Sequence, residues 1–174
     1  MAYKIARFVE EKLLKGESSK VDGLSKAKNV VTAKANSAIT ADELIDLQGT
    51  VKDAFQQNAV WIMSSKTRTA LRKLKDQNGR YLLQDDATSA FGNMLLGKPI
   101  YISDNMEDIG ESKTVIYYGD MSGLAVKVTE EMEVQVLREK YATQHAVGVA
   151  AWMEFDAKVE DAQNKKMEVY IWDD

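Results

Sequence analysis

Pro99 is the only proline in the chain, and the hydrophobic period changes there. Before it, apolar residues recur three and four apart, the period of a helix packed along one face. After it they recur every second residue or run continuously in "IYIS", "TVIYYGD", "LAVKVTEEMEVQVL", "AVGVAAWMEFDAKV" and "MEVYIW", as strands do. Helices in the first half and strands in the second predict an α+β fold. With 174 residues, 45% of them hydrophobic, the chain buries a real core as one domain or two small ones sharing a core.

The first predicted helix, Ala2 to Lys15, gathers Ile5, Phe8, Val9 and Leu13 on one face, and Gly16 stops it. An apolar stripe this early in a chain needs a partner. "GESSKVDG" reads as a loop and "NVVTAK" as a short strand. In "ITADEL", Thr40 and Glu43 have the spacing of a capping box, with Ile39 before the cap. The helix that follows is expected to bury Leu44, Leu47, Val51, Ala54 and Phe55. Gly49 in its middle points to a close backbone approach. "AVWIM" reads as a buried strand, and Ser64 or Ser65 caps a second helix that carries Ala70, Leu71 and Leu74 and ends near Asp76. Asn78-Gly79 suits a turn at positive φ.

Composition and motifs exclude much chemistry. No cysteine is present, so disulfides, thiolate metal sites and a cysteine nucleophile are absent. A net charge of −4 argues against a dedicated nucleic-acid binder. The longest uncharged run, "YATQHAVGVAAWM", is too short and polar for a bilayer helix, and no membrane partner is expected. "GNMLLGKP", Gly92 to Pro99, matches a phosphate loop until Pro99 takes the place of the magnesium-binding hydroxyl and leads into a strand. His145, the only histidine, has no zinc spacing and no nucleophile elbow to serve. Of the adjacent carboxylates Asp85-Asp86, Glu130-Glu131 and Asp173-Asp174, the middle pair is expected on opposite faces of a strand. The basic "SKTRTALRKLK" reads as a solvated helix face. No catalytic residue, metal ligand or cofactor site is assigned. The remaining enzyme alternative is a hydrolase or nucleotide-binding protein with a scattered site.

Five segments in order resemble the major capsid protein of tailed phages, the Hong Kong 97-type fold shared with encapsulin shells. "KIARFVEEKLLKGESSKVDGL" is similar to the end of that family's spine helix and the loop after it. "ADELIDLQGTVKDAFQQNAVWIMSSKTRTALRKLKDQNGRYLLQ" resembles its helix, strand, capped helix and glycine turn. "LLGKPIYISDNM" and "VIYYGDMSGLAV" resemble a strand and a hairpin, and the remainder its last long strands. The resemblance implies a peripheral part over residues 1–38, an axial domain over 39–135, and long peripheral strands over 136–174. It implies no counterpart here to the family's N-terminal arm, extended loop and start of the spine helix, so neither Asn164 nor Lys165 receives a cross-linking role. It implies, further, a structural subunit assembling with copies of itself into hexamers and pentamers around genomic double-stranded DNA. Scaffold, portal or protease would be partners during assembly in the host cytoplasm, the virion capsid the final location, and an encapsulin shell around a cargo enzyme the alternative. The acidic "SDNMEDIGES" loop, with Asp104, Asn105, Glu107 and Asp108, is the expected inter-subunit edge, against the alternative of a solvated hairpin tip.

Overall fold

The computed structural model describes residues 2–17, 20–27, 29–33, 39–75, 81, 94–110, 113–138, 147–159 and 167–172, with only the backbone at 2, 29, 30, 33, 130, 131 and 167–172. Four helices, α1 (Ala2–Lys15), α2 (Ala41–Thr50), α3 (Asp53–Gln56) and α4 (Ser65–Arg72), lie among these residues. So do eight strands: β1 (Asn29–Ala33), β2 (Ala59–Met63), β3 (Met94–Leu95), β4 (Lys98–Ile102), β5 (Thr114–Asp120), β6 (Leu124–Leu137), β7 (Gly148–Val159) and β8 (Met167–Trp172). The expected α+β arrangement is present, with helices early and strands late.

Six strands form one mixed sheet in the order β1-β8-β5-β2-β4-β3, and β6 and β7 form a separate two-stranded ribbon. The sheet gathers strands from all three segments of the chain, because β1 pairs parallel with β8 and β8 antiparallel with β5. β5 runs through the middle with Val115 to Asp120 all buried, so its two faces carry two cores. On one face α2 and α4 pack Leu44, Leu47 and Leu71 against Trp61, Met63, Ile116 and Tyr118. Trp61 and Tyr118 stack at 4.1 Å between ring centroids. Each satisfies its polar end: the Trp61 indole donates to the Leu95 carbonyl at 3.0 Å, and the Tyr118 hydroxyl donates to Gln56. On the other face Leu14, Leu24 and Ala27 meet Met106 and Tyr117. The Tyr117 hydroxyl donates to the Leu14 carbonyl at 3.2 Å, and burial pushes it well above the usual phenol range, so it stays a neutral donor.

The two caps read from the sequence are present. The Thr40 hydroxyl accepts from Glu43 N at 3.3 Å while the Glu43 carboxylate accepts from Thr40 N at 2.8 Å, with Ile39 buried beside them. Ser64 accepts from Thr67 N at 3.1 Å. The expected single helix through Phe55 is instead broken. α2 ends at Thr50, Val51 is extended at φ −82° and ψ 128°, and α3 restarts at Asp53. Competing side chains explain the break: Thr50 Oγ1 donates to the Leu47 carbonyl at 2.5 Å, and Gln56 Nε2 donates to the Gln48 and Val51 carbonyls at 2.5 and 2.9 Å. Val51 is buried as expected, but Ala54 is exposed. Gly49 also departs from expectation, since nothing lies within 4 Å of a Cβ built there. α4 stops at Arg72, short of the expected end at Asp76, which lies with Asn78-Gly79 outside the described residues.

The close approach occurs elsewhere. Gly16 ends α1 at φ +72°, its amide donating to the Lys12 carbonyl at 2.8 Å. The chain then loops back so tightly that a Cβ on Gly23 would meet Gly16 N at 2.3 Å and the Leu13 carbonyl oxygen at 2.9 Å. Glu17 N donates to the Val21 carbonyl at 2.9 Å, Asp22 N reaches the Ala157 carbonyl at 3.1 Å, and Ser25 Oγ caps the Lys15 carbonyl at 2.6 Å. Glu17 pairs with Lys20 at 2.8 Å and Lys12 at 2.9 Å, which pull its carboxyl from the ordinary 4.5 down to about 2.

Gly23→Ala is expected to cost about 2 kcal/mol or more, because the added carbon meets backbone. Gly49→Ala is expected to gain roughly 0.5–1 kcal/mol by helix propensity alone. Chemical denaturation separates the two, and equal effects would contradict the packing described. For Glu17, a depressed folded-state value means a stability contribution present above pH 4.5 and lost as pH falls towards about 2. Glu17→Gln is therefore expected to flatten the acid limb of Tm against pH in low salt, with little difference from wild type near pH 2.

Candidate assembly surface

The motifs that came nearest to a chemical site do not form one. "GKP" closes a hairpin: β3 pairs with β4 through Leu95↔Lys98, and Leu96 and Gly97 make the two-residue turn at φ +49° and +75°. Lys98 lies within β4 and its ammonium reaches the Gln57 carbonyl at 3.4 Å, so no helix N-terminus follows the turn. Gly92, His145, Asp85-Asp86, Asp173-Asp174, Asn164 and Lys165 lie outside the described residues. Register shifts flank Glu130, so regular strand alternation is interrupted at the Glu130-Glu131 pair. Among the described residues no group of three or more His, Cys, Asp or Glu could hold a metal ion, and no helix is long and apolar enough to cross a membrane.

The acidic loop after β4 fastens α1 to the sheet. Asn105 Nδ2 donates to the Arg7 carbonyl at 3.0 Å and to Glu10 Oε2 at 3.1 Å, midway along α1. Asp104 faces Arg7 at 3.9 Å, and Glu107 pairs with Lys15 at 3.0 Å and Lys113 at 3.7 Å. Asp108 binds Lys66 at 2.6 Å and accepts from the Ser64 hydroxyl at 3.0 Å, which joins the loop to the cap of α4. These partners hold the Glu107 and Asp108 carboxyls below the usual range, chiefly through hydrogen bonds from Lys15 and Lys66. Of the basic helix face these contacts engage Lys66, whose side chain stays 81% exposed, as expected of a solvated face. Asp104 is the most open of the carboxylates, with a side chain 66% exposed.

The largest unpartnered feature is apolar. β6 and β7 pair from Leu124↔Val159 to Leu137↔Gly148, a ribbon about 40 Å long. Directly paired residues share a face, which puts Val126 with Ala157, Val128 with Phe155, Val134 with Ala151 and Val136 with Val149. The two register shifts near Glu130 each add one residue to β6. They cancel, so Val134 and Val136 return to the face of Val126 and Val128. Val126, Val128, Met132, Val134 and Val136 are 45–51% exposed. The apolar stripe of α1 meets part of this face across a groove of about 630 Å³, lined by Ile5, Phe8, Val9, Met132, Met153 and Phe155. A second groove of about 940 Å³ separates Val9 and Leu13 from Val60 and Ile62 on the sheet and from Met121 and Leu124 where the ribbon begins. The orphan stripe read from the sequence is thus only half satisfied, and Phe8 stays 54% exposed. The ribbon face was missed by sequence reading, although every second residue from Leu124 to Val128 and from Met132 to Val136 is apolar. Which side of a strand is bare depends on what packs against it.

A two-stranded ribbon with one continuous apolar face is marginal in water and needs cover. Solved structures share this fold. The chain aligns with the capsid of an empty GTA particle computed with C5 symmetry, at 23% identity and a TM-score of 0.81 over 99% of this chain and 64% of that one. Gordonia phage Cozz matches at 16% identity and a TM-score of 0.72, over 99% of this chain and 61% of that one. Mycobacterium phage Ogopogo matches at 10% and 0.70, over 95% of this chain and 63% of that one. The chain therefore spans less than two thirds of the length of these relatives. No curated protein sequence matches it. The model of the phage capsid family matches residues 1–167, nearly the whole length, and the chain belongs to that family.

Proposed function

We propose that the chain is the greater part of a structural subunit of an icosahedral phage capsid, in which copies pack as hexamers and pentamers around double-stranded DNA. The observation that carries this reading is the bare apolar face of the β6–β7 ribbon, which neighbouring copies would cover. Family membership supports it. A net charge of −4 suits a container that must not hold the DNA it encloses. In this reading residues 39–135 make an axial domain, and residues 1–38 and 136–174 are peripheral parts, the last returning to the first. Scaffold, portal and protease would meet the subunit during assembly in the host cytoplasm. The loop carrying Asp104, Asn105, Glu107 and Asp108 lies at a subunit edge, and Asp104 is its member most free to meet a neighbour.

Val134→Lys and Val136→Lys, introduced separately into the full gene product, are expected to block shell assembly in sedimentation velocity. The unassembled subunit should change by no more than about 0.5 kcal/mol in stability, since both side chains are surface groups. Normal shells from both variants would contradict the reading. Asp104→Lys is expected to slow or prevent assembly while Tm changes little, its Arg7 contact being long and exposed. Unchanged assembly kinetics would remove the loop from the interface.

A further inference from the structure

We propose that Leu96, at the tip of the β3–β4 hairpin, is an anchor that buries itself against a neighbouring copy of this chain. The inference rests on the shell-subunit reading and names a contact within it. Among the described residues Leu96 is the one non-glycine at positive φ, +49°. The two-residue turn requires this conformation at both central positions. Glycine supplies it freely at Gly97, and asparagine or glycine would supply it at the first position, whereas leucine brings its Cβ against the backbone.

Packing within the chain covers Leu96 only in part. Its neighbour Leu95 fills the core at 2% exposure, while Leu96 and Met94 project at 43% and 44%. The turn is held in place: Trp61 donates to the Leu95 carbonyl at 3.0 Å and Gln48 Nε2 to the Leu96 carbonyl at 3.4 Å. Strain kept by a held turn, on a side chain left 43% exposed, points to a residue placed for a contact outside the chain. Ile45, 54% exposed, lies one helical turn before Gln48 on α2.

Met94 and Leu96 present apolar side chains at the hairpin, which suits insertion into another protein surface rather than binding of a small polar ligand. Another copy is the partner that a closed shell brings to such a tip, through a contact in which different patches of identical chains meet and the ring closes. The anchor would then behave as a small, fully desolvated hot spot.

The test uses the full gene product with Leu96→Asn and Leu96→Met. In dilute, unassembled subunit Leu96→Asn is expected to raise Tm by about 2–4 °C, because asparagine accepts the left-handed conformation. In sedimentation velocity the same variant should raise the free-subunit concentration that coexists with shells by about tenfold or more. Leu96→Met keeps an apolar arm and should assemble as wild type does. A lower Tm for Leu96→Asn would make the leucine a structural residue and overturn the proposal, as would wild-type assembly by that variant. A wild-type gene product that forms no shell at any concentration would refute the shell reading itself and the anchor with it. Shells from wild type and Leu96→Met, with Leu96→Asn deficient yet more heat-resistant, support both.

Discussion

Gly16 and Gly23 approach so closely that neither tolerates a side chain, and this backbone contact decides where α1 lies. The helix cannot drift along the sheet, because the loop that follows it is folded upon its own last turn and tied to β7 through the Asp22 amide. Leu14 and Leu24, on either side of the contact, supply the apolar pressure that closes it against Tyr117 and Met106. Glycine is needed for shape at both positions: positive φ at the first and absence of a Cβ at the second.

Once α1 is placed, the polar groups along it find their partners in the loop after β4, and its apolar stripe faces the ribbon. The division is unequal. The C-terminal half of α1 is packed, hydrogen-bonded and salt-bridged, whereas its first two turns look across open grooves at Met132, Met153 and Phe155. The six-stranded sheet has helices on one face and α1 on part of the other, with a groove left between α1 and Val60 and Ile62. The ribbon has α1 opposite only part of one face. Among the described residues the motifs nearest to a chemical site form none, whereas the valines of β6 stand about half exposed.

Much of this was legible in the residues. The capping box at Thr40 and Glu43, the Ser64 cap, the buried "AVWIM" strand and the late strands each follow from a local rule that tertiary packing did not override. The failures have identifiable physics. Propensity and spacing carried α2 through to Phe55, whereas Thr50 and Gln56 side chains capture the carbonyls and end it early. Gly49 resembled a packing glycine, but the spacing of glycines cannot reveal which of them meets another backbone; Gly23 does, and Gly49 does not. The acidic loop showed its charge but not its partners, since Arg7, Lys15 and Lys66 come to it from distant parts of the chain. Leu96 gave no sign at all. A leucine before Gly-Lys-Pro is unremarkable until its φ is known.

The central claim is that the apolar face of the ribbon is built to be covered by other copies. A cryo-electron-microscopy reconstruction of the assembled full gene product tests it most directly. The account predicts Val126, Val128, Val134 and Val136 against an adjacent subunit, with little of their present exposure left. A closed shell in which that face of β6 and β7 stands bare to solvent would contradict it.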